Sequence, residues 1–129
     1  MTTQAIHTDL AAGRWHAMPL VTQLANVGSE VDRAIRARER TNPERWTSAF
    51  ARALELFDLT AADTRWRGHR RREILRAREL FCGLFYAAAP AAGDAAFLRK
   101  YFLEFAVAAR RADGTNSTRH ASRLPPDTY

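Results

Sequence analysis

Residues 19–57 read PLVTQLANVGSEVDRAIRARERTNPERWTSAFARALELF, and this stretch decides the fold. In its first half Val21, Leu24, Val27, Gly28, Val31, Ile35 and Arg38 recur at steps of three and four, the spacing of one helix face. Asn42-Pro43 then supplies an N-cap residue and a proline whose fixed φ suits the first helical position. Beyond it Trp46, Phe50, Ala53, Leu54 and Phe57 repeat helically. Two helices, about 19–40 and 43–62, joined by so short a link are expected to fold back as an antiparallel hairpin.

Working outward, a loop at about 63–69 carries Gly68 as its breaker, and a third helix at about 70–88 sets Ile74, Leu75, Arg78, Phe81 and Phe85 on one face. Pro90 and Gly93 interrupt it, and Asp94 is placed to cap a fourth helix at about 94–112, with Phe97, Leu98, Tyr101, Phe102, Phe105 and Ala109 on its apolar face. Gly114 is expected to end that helix, leaving 113–129 as a flexible tail. The expectation is an all-α chain: an antiparallel up-down four-helix bundle over 1–112 with no period-2 strand and no internal repeat.

The chain's 129 residues suit one core, and 47% hydrophobic with 26% charged residues is globular composition. A single cysteine, Cys82, rules out an intrachain disulfide and any cysteine cluster for a metal, so no cofactor is expected. The polar residues 1–12 do not read as a signal peptide, and the apolar run 81–92 is too short and carries Pro90, so a cytoplasmic, membrane-free setting is expected.

Polar residues on inner helix faces are candidates for chemistry. Folding the first two helices about Thr41 brings Glu30 near Arg52, Asn26 near Asp58 and Gln23 near Thr60. A semi-buried polar seam is expected, with Glu30–Arg52 as its preferred ion pair. A carboxylate pair of Glu30 with Asp58 or Glu55 would suit a metal or acid–base role, but di-metal bundles use Glu-x-x-His spacing and none occurs here. His7, His16, His69 and His120 fall at termini and loops. No small-molecule substrate is inferred.

Two blocks, Gln23-Leu24-Ala25-Asn26-Val27-Gly28-Ser29-Glu30-Val31 and Arg52-Ala53-Leu54-Glu55-Leu56-Phe57-Asp58-Leu59-Thr60, resemble a family of uncharacterised bacterial helix-bundle proteins. Glu73-Ile74-Leu75-Arg76-Ala77-Arg78-Glu79 and Tyr101-Phe102 extend the likeness, which implies a helical fold and no particular activity. In size, charge and helix content the chain is also similar to accessory proteins of diversity-generating reverse transcriptases; that likeness implies oligomers holding nucleic acid. HEPN ribonucleases are helical bundles too, with an arginine followed by a histidine after a spacer of four to six residues, but Arg65 and His69 have only three residues between them and the motif is not met.

Twenty basic residues against fourteen acidic ones leave a net charge of +6, and all but Lys100 are arginine. In an up-down bundle Arg14, Arg65, Arg67, Arg70, Arg71, Arg72, Arg110 and Arg111 would share one pole, whereas the other pole mixes arginines with acids and lies nearer balance. Arginines that end a helix are stabilised by its dipole; Arg67, Arg70, Arg71 and Arg72 begin one, where the dipole opposes them. An anion is the expected counterpart, with Trp66 offering a flat face for a base. The expected site is therefore Arg65, Trp66, Arg67, Arg70, Arg71, Arg72, Arg110 and Arg111. The expected function is that of a non-catalytic accessory protein binding nucleic acid, RNA slightly preferred, with a protein partner or as a homo-oligomer. The alternatives are a subunit docking an acidic protein partner and, behind it, a HEPN-like ribonuclease.

Overall fold

The structure is a computed structural model that describes residues 13–87 and 93–122. It is all-helical, with no strand among the described residues. The elements are α1 (Trp15–Ala17), α2 (Leu20–Glu39), α3 (Pro43–Ala61), α4 (Gly68–Tyr86) and α5 (Asp94–Ser122). Asn42 caps α3, its side-chain oxygen accepting from the Arg45 amide at 3.2 Å with Pro43 next in line. Between α2 and α3 the chain reverses through Thr41, which sits at φ 51°, a left-handed conformation that a β-branched residue adopts only under strain.

Helix α2 packs on α3 and α5, α3 on α4, and α4 on α5. Ring contacts give the direction of the α3–α4 pair: Trp46 stacks on Phe85, Phe50 on Phe81, and Asp58 binds Arg78. Numbers rise on one helix as they fall on the other, so the two run antiparallel. Arg99 reaches Asp32 and Glu39 from α5, and Phe102 lies against Gly28, which makes α5 antiparallel to α2 as well. Phe57 is fully buried between Phe81 and Phe102, at ring distances of 5.9 and 5.8 Å, and marks the centre of the core.

Gly28 has the closest helix approach of any glycine described. A Cβ built there would stand 2.6 Å from the Phe102 Cβ, a distance that no side-chain rotation relieves. The glycine inside an apolar stripe is therefore explained by the closeness of α2 and α5.

Several expectations are corrected. Helix α5 does not stop at Gly114 but runs to Ser122, so residues 113–122 are helix and the flexible-tail reading fails over them; residues 123–129 lie outside the described residues. One glycine costs a helix only about 1 kcal/mol, and no proline follows until Pro125. Helix α4 starts at Gly68, with φ +54°, two residues earlier than expected. The single turn α1 went unread because three residues show no period. The Glu30–Arg52 pair is absent: Glu30 binds Arg33 of its own helix at 2.9 Å, and Asp58 is 63% exposed on Arg78. Of the polar seam, Gln23 is fully buried and Glu30 largely so, its side chain 12% exposed, whereas Asn26 and Asp58 lie on the surface.

Of the aromatic face on α5, Phe102 and Phe105 are buried and Tyr101 half-buried, while Phe97 stays 54% exposed and stacks on Tyr101.

Candidate nucleic-acid interface

The corner where α3 hands over to α4 is organised by a buried polar knot. Gln23 is fully buried, and its amide nitrogen donates to the Trp15 carbonyl at 2.8 Å and to Asp63 at 2.9 Å. Its amide oxygen accepts from the Trp66 indole at 3.1 Å. The Trp15 indole donates to the Thr60 hydroxyl, which in turn donates to the Leu56 carbonyl. Each buried group in the knot has a partner, the condition under which such a network stabilises rather than costs.

Asp63 ties the knot to the surface. Arg65 donates to both of its carboxylate oxygens, the shortest at 2.7 Å, and also to the carbonyls of His16 and Met18. Those bonds from Arg65, helped by Gln23, hold the Asp63 carboxyl far below the usual carboxylate range against the opposing effect of burial. Arg65 is raised by the same bond.

This geometry changes the expected site. Trp66 is 7% exposed and its indole is committed to Gln23, so it presents no face to a base; that part of the expectation is wrong. A turn from Asp63 to Trp66 swings the ring inward. The readable signal was Gln23 itself, a polar residue in an apolar stripe that needs partners, found in the Trp66 indole as donor and the Trp15 carbonyl and Asp63 as acceptors. Arg65 likewise spends its guanidinium on internal acceptors and acts as a clasp between the α3–α4 corner and α1.

Arg67, Arg70, Arg71 and Arg72 do come together at the start of α4, all exposed. Arg67 is the N-cap residue without a side-chain cap bond, and no acid lies in the first turn. Arg67 bonds the Thr64 carbonyl, and Arg71 the Ala61 carbonyl at the end of α3. Arg70 binds Glu73 at 3.1 Å and lies 5.3 Å over the Phe105 ring. That contact places Arg110 and Arg111 of α5, both exposed, about 8 Å further along the helix axis toward the same corner. Of the four arginines that open α4, Arg72 is the one with neither an ion pair nor a side-chain hydrogen bond among the described residues.

Other reactive groups are quiet. Burial pushes the Cys82 thiol up, away from the reactive thiolate. His69 is 83% exposed and 3.9 Å from Glu73. No cluster of three metal-ligating side chains occurs among the described residues, and none of their helices is long and apolar enough to cross a membrane.

What the sequence reading missed lies at the opposite end of α2. Arg33, Arg36, Arg40, Arg45 and Arg52 line one groove between α2 and α3. Sequence position placed these arginines among acids; in the fold Arg33 and Arg36 pair with Glu30 and Asp32, and Arg40, Arg45 and Arg52 form no ion pair among the described residues.

The class this fold defines is that of small all-helical proteins. Beyond that class, no family model, curated protein or solved structure matches the chain.

Proposed function

We propose that this chain is a non-catalytic accessory protein that binds nucleic acid, RNA by preference, using four long helices as an up-down bundle scaffold. It works in the cytoplasm beside a protein partner or as a homo-oligomer, in keeping with its likeness to accessory proteins of diversity-generating reverse transcriptases. One observation carries the reading: Arg67, Arg70, Arg71 and Arg72 stand exposed at a helix start with no acid in its first turn and no side-chain cap. Cations there oppose the helix dipole and repel one another, a cost that a bound phosphate offsets.

Binding of single-stranded RNA should weaken with salt. About four phosphate contacts give a log–log slope near −3. Arg67→Glu with Arg72→Glu should reduce affinity at least ten-fold and leave the melting temperature within about 2 °C, since neither side chain packs in the core. No RNA binding at about 50 mM salt by the unaltered chain sinks this reading.

A second reading has its own support. Burial of Trp66 removes the aromatic platform that single-strand binders use, so an acidic protein partner on the same arginines remains a competing proposal. A HEPN-like ribonuclease has less behind it, because Arg65 is held by Asp63 and two carbonyls.

A further inference from the structure

We propose that the groove between α2 and α3 is a separate anion site, one that takes a ligand carrying two or more linked phosphate groups. The groove has a volume of about 630 Å³, within the range of small-ligand sites. Arg33, Arg36 and Arg40 enter it from α2, and Arg45 and Arg52 from α3. Asn42 and Ser48 add neutral hydrogen-bonding groups, and Glu44 is the one acid in the lining.

Two acids of α2 are drawn toward α5. Asp32 and Glu39 sit on the α5 flank, where Arg99 binds both at 3.2 Å, and of the acids beside these arginines in sequence Glu44 stays in the groove. Arg36 shares Asp32, and Arg33 binds Glu30. Arg40, Arg45 and Arg52 form no ion pair among the described residues. Arg45 and Arg52 thus line the groove without an ion pair, Arg40 stands where it meets the α5 flank, and Arg33 and Arg36, each 65% exposed, line it while paired to Glu30 and Asp32.

The start of α3 lies at the same place. Asn42 and Pro43 open that helix at the groove beside the end of α2, so the two dipole ends oppose each other and the arginines set the field. Cations drawn from two helices into one concave surface repel one another unless an anion lies between them. Guanidinium forks match phosphate oxygens two at a time, so linked phosphates can engage several arginines at once. A single carboxylate cannot span them.

The site lies apart from the α4 corner, and its test needs no nucleic acid. Inorganic tripolyphosphate, titrated calorimetrically at about 50 mM salt, should bind saturably with one equivalent per chain. Arg45→Ala with Arg52→Ala should weaken that binding at least ten-fold, whereas Arg67→Ala with Arg72→Ala should change it less than two-fold. Arg45→Lys with Arg52→Lys keeps the charge and the aliphatic stems but not the fork, and should give an intermediate loss; it carries the test if the alanine pair does not fold.

Two further arms identify the source of the phosphates. Tighter binding of a nucleoside triphosphate than of tripolyphosphate assigns the groove to a nucleotide. Displacement of tripolyphosphate by a short single-stranded RNA, lost in the Arg45/Arg52 variants, assigns it to a strand's backbone. Either result supports the site. Absence of saturable tripolyphosphate binding, or equal losses from the Arg45/Arg52 and Arg67/Arg72 pairs, overturns it. RNA binding that depends on Arg67 and Arg72, with no saturable tripolyphosphate binding, would leave the proposed function standing while this groove falls.

Discussion

Gly28 offers the sharpest test of how α2 and α5 meet. In an open helix interior, glycine to alanine stabilises by about 1 kcal/mol, because alanine has less backbone freedom to lose. At Gly28 the added methyl would sit 2.6 Å from the Phe102 Cβ and 3.0 Å from its Cγ. The Cβ is fixed to the α5 backbone, so the helix itself must move. Overpacking of this kind costs about 1–3 kcal/mol, which outweighs the propensity gain and leaves Gly28→Ala destabilised by about 1 kcal/mol. Gly83, inside α4 with nothing within 4 Å of its virtual Cβ, supplies the control and should gain about 1 kcal/mol on the same change. Urea unfolding followed by far-UV circular dichroism reads both as midpoint shifts at constant slope. The two variants should move in opposite directions. Equal stabilisation of both would refute the close approach of α2 and α5 at this point.

The polar knot yields two more expectations. Trp66→Phe removes the indole donor to buried Gln23 and should cost about 1–3 kcal/mol in a melt; RNA affinity measured well below the melting point should not change, and a large loss would mean that the indole N–H acts outside the knot. Asp63→Asn should lower stability at neutral pH by about 2 kcal/mol. The folded pKa of Asp63 is depressed, so its contribution is complete above its ordinary value of 3.8 and fades as pH falls below it. The unaltered chain should therefore lose more stability than Asp63→Asn between about pH 5 and pH 2, and parallel acid limbs would contradict the assignment.

The four long helices were legible in the sequence because a buried stripe is a local property of spacing. Val21, Leu24, Val27, Val31 and Ile35 announce α2 without reference to any neighbour, and Asn42-Pro43 announces the start of α3 through backbone chemistry alone. The arginines at the start of α4 were legible for the same reason: the direction of a helix dipole follows from where the helix begins. Helix ends read less well. Gly114 looks like a stop, yet its penalty of about 1 kcal/mol is too small to end a helix by itself, and α5 continues to Ser122.

Pairing across helices was not legible, because it depends on rotation and register, to which a period of 3.6 residues is blind. Counting residues back from Thr41 set Glu30 against Arg52, but the actual rotation leaves Glu30 to Arg33 and turns Arg52 into the α2–α3 groove. The inward swing of Trp66 needed Gln23 and Asp63, which stand 43 and 3 positions away from it. The placing of Asp32 and Glu39 away from Arg45 and Arg52 has the same origin. In sequence they are one mixed cluster that averages toward neutrality. Only packing decides that Arg99 of α5 draws both carboxylates toward itself while Arg45 and Arg52 open on the α2–α3 groove, since charge neutralisation acts over a few ångströms of space and is indifferent to distance along the chain.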